Sequence, residues 1–316
     1  MTIQISITGE PGCGKTTVAM ALATALSAKF MSTGAIQREL AAARGITTLE
    51  LNKIAENDKS IDLAIDQRTQ ALDHSPDSFV IDSRLAWRFL PRSLKVFLVC
   101  PPAVAAGRVF AEQRALESFE SRESAIDSLV QRHESEKLRF LTYYGASLRN
   151  LRNYDLVVDT AYADPATIVA AIVEVAQAKA EDAVKNQAQS GSSEVSPRER
   201  GDWPQLFLSP KSLMPTKDFA VGMASGRPMQ TSVVGVDVCR VAGAWALVDG
   251  HQRVAAALQV GTKLIPARLA GLEDEVLGPS ITARAFAERH VTAARVAAWE
   301  AAFGFRFAET PVFAPR

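Results

Sequence analysis

The chain has 316 residues, of which 47% are hydrophobic and 22% charged, a composition typical of a folded protein with room for two domains. Lysine plus arginine and aspartate plus glutamate both number 35, so the formal net charge is zero, which argues against binding nucleic acid through a broad basic surface. Three cysteines without CxxC spacing indicate neither a zinc site nor a disulfide framework.

The first half of the chain alternates predicted strands with predicted helices. Short β-branched or apolar runs indicate strands at Thr2–Thr8, Phe79–Asp82, Leu94–Cys100 and Asp155–Asp159. Helical patterns occupy Thr16–Ala28, Ile36–Arg44, Leu49–Glu56, Ile61–Leu72, Ala103–Arg114, Ser121–Tyr143 and Pro165–Val184. This alternation predicts an α/β fold with a parallel sheet and helices on both of its faces.

The composition changes after residue 184. We predict a first domain at residues 1–184, a linker rich in Gln, Ser and Gly at 185–202, and a second domain at 203–316. The second domain carries short strand patterns at Gln205–Leu208, Thr231–Val238, Ala244–Val248 and Ile265–Leu269, and helical patterns at His251–Val260 and Ile281–Phe303. This mixture predicts a smaller α+β domain.

No apolar run approaches the ~20 residues of a membrane-spanning helix, and no secretory leader precedes the first predicted strand. We therefore expect a cytoplasmic protein with reduced thiols and no membrane contact. The sequence leaves the oligomeric state open.

The sequence ITGEPGCGKTT follows the first predicted strand and opens the first predicted helix. Gly9, Gly14, Lys15 and Thr16 match the pattern G-x-x-x-x-G-K-[ST]. Glycines, Gly12 among them, allow the backbone N–H groups to turn towards a phosphate, and the helix start adds its positive dipole end. The lysine supplies a charge to the β- and γ-phosphates, and the threonine hydroxyl is a ligand for Mg²⁺. The pattern predicts a nucleotide-phosphate site.

Arginines elsewhere in the first half suggest that a second phosphate group is held opposite the first. Arg38 and Arg84 follow early elements of the predicted fold, and Arg108 follows the third strand. Arg132 and Arg139 lie seven residues apart, and so on one face of a predicted helix. Phosphoryl transfer needs such cations because charge spreads over the oxygens of the moving group.

Residues 1 to about 178 resemble the cytidylate kinase family of nucleoside monophosphate kinases, in its short archaeal-type branch. The resemblance rests on the phosphate loop and on the sequences STGAIQREL from Ser32, DLAID from Asp62, DSRLAW from Asp82, and RHESEKLRF from Arg132 with YYG at Tyr143. It implies that ATP, with Mg²⁺, donates its γ-phosphoryl group to a nucleoside monophosphate or a related phosphate-bearing small molecule.

The resemblance also implies roles for individual residues. Catalysis would fall to Lys15, Arg132, Arg139 and Asp82. ATP would be bound by Gly9, Gly12, Gly14, Lys15, Thr16, Thr17 and Arg108. The acceptor would be bound by Ser32, Gly34, Arg38, Asp66 and Arg84. The metal ion would be held by Thr16 and Asp82.

Two departures from the family pattern border the expected acceptor pocket. Ala35 stands where the family usually has Asp, and Ser83 stands where a Gly is usual. The acceptor base is therefore left open between CMP or dCMP and related molecules. One alternative is a kinase whose acceptor is a hydroxyl group, with Asp82 or Asp66 as base. Another is a regulator switched by slow nucleotide turnover.

Residues 205–270 resemble the ParB/sulfiredoxin-like fold, whose members include nucleotide-binding proteins. The resemblance rests on FLSPKSLMPT from Phe207, on DGHQRVAAAL from Asp249 and on GTKLIPAR from Gly261. It implies that Gly250, His251 and Arg253 cradle the phosphate of a second nucleotide at the start of a helix. The sulfiredoxin cysteine is missing from this sequence, which argues against sulfinate repair.

Overall fold

The structure is a computed structural model, and it describes residues 2–46, 48–55, 58–111, 140–190, 203–219, 235–278 and 280–308. The chain forms two compact units. The first comprises Met1–Leu98, Asp127–Leu156 and Pro165–Asp202, and the second comprises Val99–Ile126, Val157–Asp164 and Trp203–Arg316. This division differs from the predicted domains, because two segments that precede residue 184 group with the second unit.

The strands of the N-terminal half form a parallel arrangement. They are β1 at Gln4–Gly9, β2 at Lys29–Ser32, β3 at Phe79–Asp82, β4 at Leu94–Val99 and β5 at Leu156–Asp159. Within the first unit the strand order is β2-β3-β1-β4, in which β3 pairs in parallel with β2 and β1 pairs in parallel with both β3 and β4. The prediction of an α/β fold with a parallel sheet is confirmed.

The central position of β1 follows from its side chains. Ile5 and Ile7 have no solvent exposure, and the alternate residues Ser6 and Thr8 are equally buried. The two hydroxyls reach partners on neighbouring segments: Ser6 contacts the Ser93 hydroxyl at 3.0 Å, and Thr8 donates to the Ser83 carbonyl at 3.0 Å. A strand buried on both faces is typical of a parallel sheet.

The helices of the N-terminal half largely match the predicted ones. They are α1 at Lys15–Ala25, α2 at Thr33–Ala43, α3 at Thr48–Ala55, α4 at Lys59–Gln70, α5 at Ala86–Phe89, α6 at Pro102–Ala111 and α7 at Pro165–Ser190. Helices α2, α3 and α4 share a small core around Ala41, Leu51, Ile61 and Ile65. Residues 140–144 are helical as well; the rest of the predicted helix Ser121–Tyr143 lies outside the described residues.

Helix α7 is longer than its apolar pattern predicts. It continues through Ser190, into the predicted linker. The added residues, such as Lys185 and Gln187, are good helix formers, and the stretch contains no Pro or Gly before Gly191. Intrinsic propensity therefore extends the helix beyond the point where a buried face is recognisable.

The second unit contains a mixed sheet. Its strands are β6 at Gln205–Leu208, β7 at Leu213–Met214, β8 at Val236–Val241, β9 at Ala244–Asp249 and β10 at Ile265–Leu272. They lie in the order β6-β10-β8-β9-β7. β10 pairs antiparallel with β6 and parallel with β8, and β8 forms a hairpin with β9. Two further short strands, β11 at Val276–Gly278 and β12 at Ile281–Thr282, pair with each other.

Besides α6, this unit contains the described helices α8 at His251–Gln259, α9 at Ala283–His290 and α10 at Ala293–Phe303. The helical pattern predicted for Ile281–Phe303, which we interpret as a pair of packing helices, forms two helices, with a break between α9 and α10. Thr292 caps α10 by accepting a hydrogen bond from the Arg295 backbone N–H at 3.3 Å, and an N-cap residue is not itself helical.

Within the described parts of the chain, no helix has the length and apolar character that crossing a bilayer requires.

Candidate active site

The candidate site lies where two parallel strands end side by side. Ile7 on β1 pairs with Asp82, the last residue of β3, and Gly9 pairs with Leu98 on β4. The loop that leaves β1 therefore passes next to the end of β3. In open α/β sheets, ligands bind at this carboxyl edge.

The phosphate loop depends on its glycines for steric and conformational reasons. A side chain at Gly9 would place its Cβ 2.6 Å from the Leu98 carbonyl oxygen and 2.8 Å from the Cys13 sulfur. Gly12 and Gly14 have φ angles of 73° and 78°, in the left-handed region that favours glycine. Gly14 is also the N-cap of α1, so its conformation turns the chain directly into the helix.

Two cationic side chains converge on one backbone oxygen of this loop. The Lys15 ammonium lies 3.3 Å from the Gly9 carbonyl oxygen and 3.3 Å from that of Glu10. The Arg84 guanidinium, which comes from the segment after β3, donates to the same Gly9 oxygen at 2.7 Å. A carbonyl dipole holds both charges at the mouth of the loop, where they can act on an anion.

A hydroxyl and a carboxylate meet beside these cations. Thr16, in the first turn of α1, donates to Asp82 Oδ2 at 2.7 Å. The Asp82 carboxylate is largely buried, with 8% relative exposure, and its backbone carbonyl accepts from the Thr33 hydroxyl at 3.4 Å. Two oxygen ligands in contact suit a hard cation such as Mg²⁺. Thr17, the next residue of α1, is exposed.

The expected acceptor residues of the STGAIQREL sequence lie at the start of α2. Ser32 is the N-cap of this helix, and the Arg38 guanidinium lies beside Gly34, because a Cβ on Gly34 would be in ordinary contact with Arg38 Nη1 at 3.6 Å. Among the residues that the structure describes, the Arg38 guanidinium has no hydrogen bond or ion pair. The side chain is exposed, so its donors can reach a ligand.

Asp66 belongs to a buried polar group that the sequence does not reveal. Asp62 and Asp66 lie one turn apart on α4, with 7% and 8% relative exposure. The Tyr144 hydroxyl donates to Asp66 Oδ2 at 2.7 Å. Burial raises the pKa of the Asp66 carboxyl, the Tyr144 hydrogen bond lowers it and the charge of Asp62 raises it, with a net pKa of about 6.

Of the other predicted cationic residues of the N-terminal half, Arg108 is described by the structure, whereas Arg132 and Arg139 are not. The Arg108 guanidinium, on α6 in the second unit, donates to the carbonyl oxygens of Thr160 and Ala161 and to the Thr160 hydroxyl. It braces the turn after β5 in this structure, and its role towards ATP stays a prediction. Arg132 and Arg139 lie outside the described residues, so the predicted lid stays a prediction as well.

In the predicted phosphate cradle of the second unit, Gly250 has the conformation of a helix-start turn, and the side chains of His251 and Arg253 are hydrogen-bonded within the protein. Gly250 has a φ of 96° and is the N-cap of α8. The His251 ring is buried, with 4% relative exposure, and its Nε2 lies 3.0 Å from the Thr216 hydroxyl. Burial lowers the pKa of His251 to about 4, so the ring is neutral near pH 7. Arg253 donates to the Gly235 carbonyl at 2.5 Å and contacts Asp249 at 3.3 Å. The phosphate role of these residues stays a prediction.

The sequence-based prediction missed residues that border the site from a distance in sequence. Arg149 contacts the Glu10 carboxylate of the phosphate loop at 3.9 Å, and Tyr144 reaches Asp66 across 78 positions. The YYG sequence gave a signal for the tyrosine, because it belongs to the family resemblance. Nothing in the local pattern around Arg149 distinguishes it from a surface arginine.

Comparison with known proteins is consistent with this geometry. The model of the "Cytidylate kinase-like family" matches residues 4–162. A cytidylate kinase of Sulfolobus acidocaldarius is 36% identical over 179 residues, which are 56% of this chain and 96% of the relative. Its counterpart in Haloquadratum walsbyi is 38% identical over 181 residues, 57% of this chain and 91% of the relative. That of Methanosarcina barkeri is 33% identical over 161 residues, 50% of this chain and 87% of the relative.

The matched residues contain the phosphate loop, Arg38, Asp82 and Arg84, which are the groups that the structure brings to the carboxyl edge of the sheet. The match covers the kinase half, so it assigns the chemistry to that half. The chain therefore belongs to the cytidylate kinase-like family, and it is a phosphotransferase of the kinase class.

Proposed function

We propose that the first unit transfers the γ-phosphoryl group of ATP to a nucleoside monophosphate, either CMP, dCMP or a related phosphate-bearing small molecule. The observation that carries this proposal is the convergence of the Lys15 ammonium and the Arg84 guanidinium on the Gly9 carbonyl oxygen. Two positive charges fixed at one point of a phosphate loop suit the outermost group of a triphosphate. The three relatives that carry the name cytidylate kinase support the acceptor class.

The named residues divide the work between donor and acceptor. Lys15 and the backbone N–H groups of the loop hold the donor phosphates, and Arg38 holds and orients the acceptor phosphate. Arg84 lies at the loop itself, so we assign it to the point where donor and acceptor groups meet. An acceptor phosphate is already ionised at neutral pH, so no residue needs to remove a proton. Arg132 and Arg139 complete the charge in this proposal by family resemblance.

Thr16 and Asp82 fit a magnesium ion. Their oxygens are in contact at 2.7 Å, and the carboxylate is largely buried beside the loop. Bound there, Mg²⁺ would neutralise negative charge on the donor phosphates. The Thr16 hydroxyl and the Asp82 carboxylate would hold it, the latter directly or through water.

One observation favours a second candidate, a kinase that phosphorylates a hydroxyl group. Such an enzyme needs a base with a pKa not far below neutrality. Burial places the pKa of Asp66 at about 6, closer to neutrality than an ordinary carboxyl. The Tyr144 hydroxyl occupies one oxygen of this carboxylate, however, so a hydroxyl acceptor would have to displace it.

For the second unit we propose a ParB/sulfiredoxin-like fold. The support is the corner at which β9 ends, Gly250 adopts a left-handed conformation and α8 begins, together with the parallel pairing of β8 with β10. The function of this unit in catalysis, regulation or substrate delivery is a separate question.

An acceptor panel tests the proposed activity. The full chain is incubated with ATP and MgCl₂, alone or with each nucleoside monophosphate, and ADP is measured. We expect ADP release that depends on the acceptor and is highest with CMP or dCMP. Equal release with and without an acceptor contradicts the proposal and favours a nucleotide-switched regulator. Release that depends only on compounds without a phosphate favours the hydroxyl kinase.

Arg38→Ala tests the acceptor site. Loss of a cation that binds the acceptor phosphate should raise the KM for the acceptor by about 10- to 100-fold and leave the KM for ATP nearly unchanged. Arg44→Ala is the matched control, because Arg44 is exposed at the end of the same helix. Equal KM values for the acceptor in both variants would remove Arg38 from the site.

A further inference from the structure

The second unit contains a cavity that neither the kinase chemistry nor the predicted helix-start cradle uses. It has a volume of about 270 Å³. Its walls come from the segment after β7, the end of β9, and the helices α9 and α10. The lining residues are Thr216, Lys217, Asp218, Val248, Phe286, His290 and Arg295.

Two permanent cations face this cavity, and one acid offsets one of them. The backbone of Lys217 is fixed, because its carbonyl accepts from the Trp299 indole N–H at 3.2 Å. Its side chain is exposed, and within the described residues its ammonium has no ion pair. The backbone of Lys217 is therefore fixed, while its ammonium group is available to a ligand.

Arg295 also lines the cavity, and hydrogen bonds hold its guanidinium in place. Its Nε donates to Asp218 Oδ1 at 2.9 Å, and its Nη1 donates to the His290 carbonyl at 2.8 Å. A guanidinium has five N–H donors, so these two bonds orient the group and leave donors on Nη2 for a ligand. The carboxylate of Asp218 thus fixes the orientation of the Arg295 guanidinium.

The local charge is positive. The pKa of His290 is lowered, chiefly by burial and then by the charges of Arg295 and Arg289. The pKa of His251, whose ring contacts the cavity-lining Thr216, is lowered by burial and next by the charge of Lys217. The lowered pKa values favour the neutral form of both rings, so neither ring adds to the positive charge of Lys217 and Arg295.

The remaining wall is apolar and aromatic. The Phe286 and His290 rings lie one helical turn apart on α9, with centroids 4.8 Å apart and planes tilted by 44°. Val248 contributes an aliphatic surface. A ligand for this cavity therefore has an anionic group and a small body with a partly apolar face.

We propose that this cavity binds a small phosphate monoester, with its phosphate between Lys217 and Arg295 and its organic part against Phe286. A phosphate dianion offers three acceptor oxygens, which suit a point charge on one side and a planar guanidinium on the other. The volume is just below the range of drug-sized pockets, which suits a sugar phosphate or a mononucleotide better than a larger cofactor. The proposal does not depend on the activity proposed for the first unit.

Titration calorimetry with the full chain tests this site in a Lys15→Ala, Arg38→Ala background, which removes the side chains that we assign to the donor and acceptor phosphates of the first unit. The probe is ribose 5-phosphate, and ribose is its uncharged match. We expect ribose 5-phosphate to bind and ribose not to bind. Lys217→Glu in that background should weaken binding at least about tenfold, because it replaces attraction by repulsion.

Lys263→Glu is the matched control, since Lys263 is an exposed lysine of the same unit that does not line the cavity. It should change the Kd of ribose 5-phosphate less than about twofold. No heat with ribose 5-phosphate at millimolar concentration, or equal weakening by the two lysine variants, overturns the proposal. CMP is a third probe, and only the part of its binding that Lys217→Glu removes reports this cavity. A larger loss of affinity for CMP than for ribose 5-phosphate supports a nucleotide site, and an equal or smaller loss supports a sugar phosphate site.

Discussion

Lys15→Ala separates the chemical role of the phosphate loop from its structural role. The ammonium lies 3.3 Å from two backbone carbonyl oxygens, those of Gly9 and Glu10, which is a long distance for a hydrogen bond. Neutral replacement of such bonds costs about 1 kcal/mol or less of unfolding free energy. For a chain of this size that corresponds to a fall in Tm of about 2–4 °C.

The effect on activity should be much larger. Removing one preorganised donor from a developing charge lowers kcat by about 10²–10³, or roughly 2.7–4 kcal/mol. The assay is acceptor-dependent ADP formation, with Tm measured on the same preparations. Lys29→Ala is the control: Lys29 pairs with Asp77 at the surface, where both side chains are exposed, so activity should stay unchanged. Full activity in Lys15→Ala would refute the assigned role. A loss of activity that is accompanied by a large fall in Tm would also contradict it, because unfolding would then explain the loss.

Two further predictions concern stability. Gly9→Ala should lower the unfolding free energy by about 1–3 kcal/mol, because the added methyl group would overlap the Leu98 carbonyl oxygen. Gly278→Ala is the control, since a Cβ there meets open space and the unfolding free energy should hardly change. Urea unfolding of both variants measures the difference. Asp66→Asn should raise the unfolding free energy at pH 7.5 by about 1–2 kcal/mol after solvent screening and give no gain at pH 4. The folded protein keeps the Asp66 proton up to a pKa of about 6, while the unfolded chain releases it near pH 4, so wild-type stability falls as pH rises through this window. A gain that is the same at both pH values would show that titration of this carboxyl is not its cause.

Local sequence patterns account for the parts of the fold that local chemistry decides. The phosphate loop was predictable because its glycines, lysine and threonine are adjacent in sequence and each has one geometric task. β3 is predictable because Phe79, Val80 and Ile81 form an apolar run, and the whole strand through Asp82 is buried. β2 was missed: Lys29 and Phe30 are exposed, so this edge strand lacks the alternation that marks a strand.

Other features depend on contacts between distant segments. Arg84 was expected at the acceptor phosphate, yet its guanidinium bonds to the Gly9 carbonyl 75 positions away, a contact set by the register of β1 and β3. The hydrogen bond from Tyr144 to Asp66 joins residues 78 positions apart. The break between α9 and α10, by contrast, had a readable signal, since Thr292 is a favoured helix cap.

All three thiols of the chain are buried, so their reaction with an alkylating reagent can measure local opening of the structure. Cys13 lies in the phosphate loop with 1% relative exposure, Cys100 follows β4 with 3%, and Cys239 lies in β8 with none. Burial raises the pKa of Cys13 and takes that of Cys239 to about 12, so neither reacts until its surroundings part. The alkylation rate of each cysteine, followed by peptide mass spectrometry, therefore reports how often the structure around that cysteine opens. A nucleotide that rigidifies the loop should slow labelling at Cys13 and leave Cys239 unchanged.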